Sequence, residues 1–154
     1  EHVGGVQLLA SPGNLKLPRQ EQLDTLAKQL ESLDLDIIAY QDHAGFMKVY
    51  PDMDFRVAAQ GFELIRPLHE QLGIQFWVNC ECFDFEKRPD GRNVCIPCEF
   101  SRLREQLLAA AVSAEKIVTY QYQGIMNRKT PLVNIGAEGT QQLYDDYVNF
   151  IRGI

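Results

Sequence analysis

Short apolar runs alternate with stretches of helical periodicity along the chain. Four such runs are present, and the last three follow one another at a spacing of about 40 residues. This alternation is typical of a repeating strand–helix unit. Runs that are apolar on both faces indicate parallel strands covered by helices. The predicted strands are residues 3–10, 36–41, 74–81 and 116–122.

Helices are predicted in the intervals between these runs. The first opens at Pro18, the second covers residues 55–72, the third covers 99–114, and Thr140 caps the last. Pro67 is expected to kink or split the second helix, and Gly73 to end it. The predicted buried stripes are Leu23, Leu26, Ala27, Leu30 and Leu33; Phe62, Ile65, Leu68 and Leu72; Leu103, Leu107, Ala110 and Ala114; and Leu143, Tyr144, Tyr147, Val148 and Ile151.

Two segments are predicted to be loops. Residues 43–54 follow the second strand, and a long polar loop covers residues 83–97, with a turn at Pro89-Asp90-Gly91.

The sum is an α/β domain of four consecutive β–α units with parallel strands. Four units make half of a TIM-type eightfold barrel, and they can also close as a small flavodoxin-like doubly wound sheet. Nothing in the composition suggests a linker, so residues 1–154 are interpreted as one half-barrel domain. An isolated half-barrel leaves sheet edges and apolar surface exposed. We therefore expect a homodimer or pairing with a missing N-terminal half.

Composition narrows the class of function. An apolar fraction of 45% is ordinary for a globular protein, and a net charge of −6 with scattered basic residues argues against a nucleic-acid partner. No stretch is long enough to span a membrane. The chain starts at Glu1 without Met, so the missing signal peptide is uninformative and export stays possible. The sequence contains neither a nucleophile elbow nor a nucleotide-binding motif, and no cofactor is expected.

Polar side chains follow the apolar runs at Asp42, Glu81 and Gln121. Acids and amides at the carboxyl ends of parallel strands build the active site of an α/β barrel. On the third run, alternation places Trp77, Asn79 and Glu81 on one face, which we expect to be the barrel interior.

Neighbouring strands are expected to contribute to the same interior face. Tyr40 and Asp42 are predicted to align with it, as are Thr119 and Gln121, whereas Gln41, Tyr120 and Tyr122 fall on the opposite registers. An acid, an amide and an indole ring suit a sugar, whose hydroxyl groups need hydrogen bonds and whose ring needs an apolar plate. The candidate catalytic residues are Glu81 and Asp42, and the candidate substrate-binding residues are Gln41, His43, Trp77, Asn79, Tyr120 and Gln121.

The four cysteines read as C-x-C and, a dozen residues later, C-x-x-C. Four thiolates at this spacing can hold zinc, two can form a disulfide in an exported protein, and all four can be free thiols. The candidate residues are Cys80, Cys82, Cys95 and Cys98.

Several segments together resemble an uncharacterised bacterial family of glycoside-hydrolase-like (β/α)8 barrels, known mostly as a domain of unknown function. The matching segments are DIIAYQDHAGF, QFWVNCECFDFE, EKIVTYQYQGIMNRKTP and QLYDDYVNFI. The residues that carry the resemblance are Gln41, Asp42 and Gly45; Trp77, Asn79, Glu81 and Phe83; Met126 and Pro131; and Leu143, Tyr144 and Tyr147.

The resemblance implies that the chain is the C-terminal half of such a barrel. Glu81 would then end strand seven, where many retaining glycosidases carry the nucleophile. The partner acid would come from strand four, which this chain does not contain, and Gln121 stands where an acid is frequent.

The resulting hypothesis is a glycoside hydrolase-like domain that acts on or binds carbohydrate through Glu81 and Asp42. The alternatives are a non-catalytic carbohydrate-binding or assembly module and a zinc-stabilised structural domain.

Overall fold

A computed structural model describes residues 17–50, 54–130 and 136–153, which form a mixed α/β fold. The predicted strand at residues 3–10 lies outside these ranges. The helices are α1 Gln20–Glu31, α2 Phe55–Leu72, α3 Phe100–Ala110 and α4 Thr140–Arg152, and a short 3-10 helix covers Ala44–Phe46. The strands are β1 Ile37–Gln41, β2 Gln75–Glu81, β3 Phe83–Lys87, β4 Asn93–Pro97 and β5 Lys116–Tyr120.

Three strands form a parallel sheet in the order β1-β2-β5. This confirms the predicted parallel pairing for the second, third and fourth apolar runs. The central strand β2 pairs on both sides: Gln41 lies opposite Asn79 on β1, and Tyr120 lies opposite Glu81 on β5. The carboxyl ends of all three strands therefore meet at one edge, with Glu81 in the middle.

The segment predicted as a long polar loop is a β-hairpin instead. Strands β3 and β4 pair antiparallel, and the predicted turn joins them, with Gly91 at a φ of 83°. The hairpin forms because Phe83 and Phe85 alternate with polar residues. The centroids of their rings lie 5.4 Å apart, and the centroid of the Phe85 ring lies 4.6 Å from that of the Phe46 ring.

The core lies between one face of the sheet and the helices. Ile38, Phe76, Val78 and Cys80 are each at most 1% exposed on this face. Beside them, the hydroxyl of Tyr40 makes a 2.7 Å hydrogen bond with Nε2 of His69 on α2. Desolvation lowers the pKa of His69, so this buried pair is neutral at physiological pH.

The helices agree with the predicted stripes in their centres and differ at their ends. Pro67 lies inside α2 without splitting it, and Gly73 ends the helix at a φ of 70°, as predicted. Thr140 is the first residue of α4 and not its cap, because Gly139 occupies the cap position. Leu33 lies beyond α1, and Ile151 is in the last turn of α4; both are exposed, contrary to expectation.

None of the helices within the described ranges combines the length and the hydropathy that a membrane-spanning helix needs.

Candidate functional site

The register of the parallel sheet determines which side chains share a face. Ala39, Trp77 and Lys116 are paired across the three strands, as are Gln41, Asn79 and Val118. Paired residues point to the same side of a sheet. We call this side the open face, because among its described members only Glu81 is fully buried. Its members are Ile37, Ala39 and Gln41 on β1, Gln75, Trp77, Asn79 and Glu81 on β2, and Lys116, Val118 and Tyr120 on β5.

Two of the predicted alignments are wrong. Tyr40 pairs with Val78 and Thr119 pairs with Cys80, so both point towards the helices and away from Glu81. Gln41 and Tyr120, which sequence alternation placed on the opposite registers, lie on the open face. A shift of one residue in the assumed register reverses every side chain of a strand, and this accounts for both errors.

The carboxylate of Glu81 is enclosed at the end of the central strand. Glu81 as a whole is 0% exposed. One carboxylate oxygen accepts a hydrogen bond from the Gly45 amide at 2.8 Å, and the other accepts one from the side-chain amide of Gln41. Glu81 thus holds the turn after β1 and orients Gln41 beside it.

Asp42 lies behind the sheet, on the helix side. Its Oδ1 accepts hydrogen bonds from the amides of Ala44 and Glu81, both at 3.2 Å, and its Oδ2 accepts one from the side-chain amide of Gln106 on α3. Asp42 therefore binds the backbone of Glu81 while its carboxylate points away from the open face. Burial raises the pKa of Asp42 to about 6, against the lowering effect of its hydrogen bond to Gln106.

Helix α3 supplies two polar residues that the sequence analysis missed. Nε2 of Gln106 lies 3.2 Å from the carbonyl of Glu81, and Arg102 donates to the carbonyls of Glu81 and Phe83 at 3.1 and 2.8 Å. The Arg102 guanidinium also lies 3.2 Å from the buried carboxylate of Asp84. One signal was available, since Gln106 adjoins Leu107 and lies one turn from Leu103 and Ala110 in the apolar stripe. A polar residue in such a stripe needs a buried partner.

Gly45 is required by the close approach of the turn to Glu81. A Cβ at this position would lie 2.5 Å from the Phe83 ring and 2.8 Å from the Glu81 carboxylate. Both distances are shorter than van der Waals contact, so the site cannot keep its geometry with any other residue here.

Tyr120 is the last residue of β5 and lies opposite Glu81 on the neighbouring strand. It is 46% exposed, and its ring meets the Phe83 ring edge-to-face at 6.0 Å. Gln121 follows it as an exposed residue whose side-chain amide donates to the carbonyl of Gln123 at 3.1 Å. The backbone carbonyl of Gln121 accepts a hydrogen bond from the Cys82 thiol at 3.2 Å.

Trp77 lies further from Glu81 than the shared face suggests. Four residues along a strand span about 13 Å, and the Lys116 ammonium covers the indole ring at 4.4 Å. Asn79 lies between the two, and its buried Oδ1 has no hydrogen-bond partner within the described ranges.

His43 adopts a left-handed conformation at the start of the 3-10 helix, and its buried Nε2 also has no hydrogen-bond partner within the described ranges.

The four cysteines are free thiols. Across the described ranges, no group of three His, Cys, Asp or Glu side chains is arranged to hold a metal ion. The geometry therefore does not support the zinc alternative. Cys80 lies on the helix side beside Asp42, and burial raises its pKa well above the ordinary value.

A family model matches residues 5–133, which is most of the chain; the family is DUF4434, a domain of unknown function. The chain belongs to the DUF4434 family. This confirms the expected membership of an uncharacterised family. No curated protein matches the chain.

Among solved structures, the DUF4434 chain is similar to the crystal structure of a putative alpha-L-fucosidase from Bacteroides thetaiotaomicron. The two share 23% sequence identity with a TM-score of 0.58, over 86% of this chain and 35% of the other. The chain thus spans about a third of the length of that protein. At this identity the similarity shows the fold alone.

Replacing Gly45 by Ala should destabilise the domain by about 1–3 kcal/mol, because the new methyl group overlaps Phe83 and Glu81. Gly61→Ala is the matched control, since its Cβ would meet nothing closer than 3.7 Å. Gly61 lies inside a helix, so Ala there should stabilise by up to about 1 kcal/mol. Urea unfolding measures both changes. Equal stability of the two variants would contradict the close packing around Gly45.

The buried Asp42 carboxyl should make stability decrease as pH rises. Its pKa of about 6 in the fold exceeds the ordinary value of 3.8, so between these values the folded protein binds more protons than the unfolded chain. The free energy of unfolding should therefore fall by roughly 2.4 kcal/mol from pH 4 to pH 7 through this group.

The measurement is urea unfolding of wild type and Asp42→Asn from pH 4 to pH 7. The variant cannot ionise here, so its stability relative to wild type should rise across this range. Asp34→Asn, at an exposed position, controls for loss of one carboxylate. Parallel pH profiles for wild type and Asp42→Asn would contradict the assignment.

Proposed function

We propose that this domain binds carbohydrate at the carboxyl ends of β1, β2 and β5, on the open face of the sheet, as part of a glycoside-hydrolase-type protein. The site consists of Gln41, Asn79, Glu81 and Tyr120, with His43 at its margin. Trp77 and Gln121 are secondary members, because Lys116 covers the Trp77 indole and the Gln121 side chain bonds to its own loop.

The observation that carries this proposal is the combination of groups at the end of the open face. The exposed ring of Tyr120 offers a flat apolar surface, and the Oδ1 of Asn79 offers a hydrogen-bond acceptor beside it. Oδ1 of Asn79 is buried without a partner in the described part of the chain, and such an atom is expected to bind a polar group. Sugars present hydroxyl groups around a ring with an apolar face, which fits this set.

The half-barrel interpretation belongs to the same proposal. Helices cover one face of the parallel sheet, whereas every described residue of the open face except Glu81 is partly or fully exposed. In an α/β barrel the second face is covered by the remaining strands. We therefore propose that a second half of the barrel covers the part of the open face around Trp77 and Val118. This second half would be another segment of the protein or a second copy of this chain.

Hydrolysis is a second candidate, favoured by the position of Glu81 at the end of the central strand. Glycosidases need two carboxyl groups on either side of the scissile bond. Asp42 does not supply the second, because its carboxylate binds Gln106 and backbone amides behind the sheet. The partner acid would come from outside the described residues, and a substrate would have to displace Gln41 to reach Glu81.

The binding proposal is tested with a glycan array that includes fucosylated oligosaccharides. Tyr120→Ala should weaken binding of the best ligand about tenfold or more, since removing the ring costs at least about 1.4 kcal/mol of contact. Tyr122→Ala is the matched control, because its equally exposed ring packs against Tyr144 on α4. Isothermal calorimetry gives both affinities.

Two results would contradict the site. One is an equal loss of affinity in the two tyrosine variants, and the other is no glycan binding by the wild-type protein.

The catalytic candidate is tested with Glu81→Gln on aryl glycosides. Gln has the size of Glu and keeps an oxygen that can accept from the Gly45 amide, so the variant should fold and keep its glycan affinity within about threefold. Turnover should fall at least about a hundredfold if Glu81 is a catalytic carboxylate. Unchanged turnover would remove Glu81 from the mechanism and leave the binding proposal intact.

A further inference from the structure

Two cysteines lie opposite each other where the hairpin leaves the central strand. Phe83 pairs with Pro97 in the antiparallel ladder, and the next opposed pair is Cys82 and Cys98, joined by a 3.2 Å hydrogen bond from the Cys98 amide to the Cys82 carbonyl. Opposed residues of antiparallel strands have Cα atoms about 4.5–5.5 Å apart. Disulfides need Cα separations of about 4.4–6.8 Å, and the separation expected for an opposed pair lies within this range.

The other two cysteines are placed differently. Cys80 lies two residues earlier on β2 and faces Asp42. Cys95 is exposed and pairs with Phe85, three positions further along the hairpin. Direct opposition therefore distinguishes Cys82 and Cys98 from these two.

A small oxidant can approach this pair from one side. Cys98 is 5% exposed and lines a surface cavity of about 240 Å³ between the start of α3 and the start of α4. Glu99, Glu138 and Asp146 also line the cavity. Their negative charge disfavours anionic oxidants such as oxidised glutathione and admits small neutral ones.

We propose that Cys82 and Cys98 form a reversible cross-strand disulfide when the protein meets a small neutral peroxide. The Cys98 sulfur attacks one peroxide oxygen and expels hydroxide, which leaves as water, and Cys98 becomes a sulfenic acid. The Cys82 sulfur then attacks the Cys98 sulfur and releases a second water. In sum, two thiols and one hydrogen peroxide give one disulfide and two waters.

The disulfide has a structural consequence at the candidate sugar site. In the reduced protein the Cys82 thiol donates a hydrogen bond to the carbonyl of Gln121, directly after Tyr120. Oxidation removes this donor, so the segment after β5 loses one of its contacts. The backbone bond from the Cys82 amide to the Tyr120 carbonyl, at 2.7 Å, does not involve the thiol and remains.

The reaction should be slow at neutral pH and faster in alkali. Burial raises the pKa of the Cys98 thiol to about 11, and the thiolate is the reactive form. The rate of disulfide formation should therefore increase about tenfold per pH unit between pH 7 and pH 9.

The experiment treats the reduced protein with hydrogen peroxide and counts free thiols by alkylation and intact mass. Wild type and Cys95→Ala should each lose two thiols and about 2 Da, reversibly with dithiothreitol, and the Tm should rise by about 5–10 °C because the closed loop constrains the unfolded chain. Cys98→Ala should show neither change. Cys98→Ser is the second variant, and fragment ions of the wild-type protein locate the linkage if neither variant folds.

Three results would overturn the proposal. They are a folded wild type that keeps all four thiols, an undiminished 2 Da loss in a folded Cys98 variant, and a linkage that maps to Cys95 or Cys80.

Discussion

Glu81 at the end of the central strand is the residue on which the rest of this structure depends. Its side chain binds the turn after β1 through the Gly45 amide, and its backbone is bound by Asp42, Gln106 and Arg102. One residue thus joins the first strand, the central strand and α3. A buried carboxylate without its donors is costly, so this arrangement persists only as a complete set.

The two faces of the sheet divide the polar residues into two groups with different roles. On the helix side, Asp42, Gln106 and Cys80 form a closed network whose carboxyl has a raised pKa because it is buried. On the open face, Gln41, Asn79 and Tyr120 surround Glu81 and are partly or fully exposed. The first group positions Glu81, and the second is the set that we propose to bind carbohydrate.

Much of the fold could be predicted from apolar periodicity. The three parallel strands and the centres of the four α-helices in the described ranges follow from it, because amphipathic patterns constrain elements strongly. The hairpin was missed although Phe83 and Phe85 alternate with charged residues in the manner of a strand. A polar turn and charged side chains are also typical of a loop, so the composition of residues 83–97 does not distinguish a loop from a hairpin.

The composition of the candidate site was partly predictable and its geometry was not. Glu81 and Asn79 stand out as polar residues within an apolar run, and Gln41 and Tyr120 were candidates. Register between strands is set by tertiary packing, and an error of one residue reverses the faces. For this reason Asp42 was expected beside Glu81 on the inner face, whereas it lies behind the sheet, and Gln106 and Arg102 could not be located from their own helix alone.

The division of the sheet into a supporting side and a ligand side is tested most directly by nuclear magnetic resonance of two side-chain amides. Gln41 and Gln106 both lie close to Glu81, on opposite faces. On titration with an oligosaccharide selected on the glycan array, the Gln41 amide signals should shift while the Gln106 signals stay in place. A larger shift at Gln106 than at Gln41 would contradict this account.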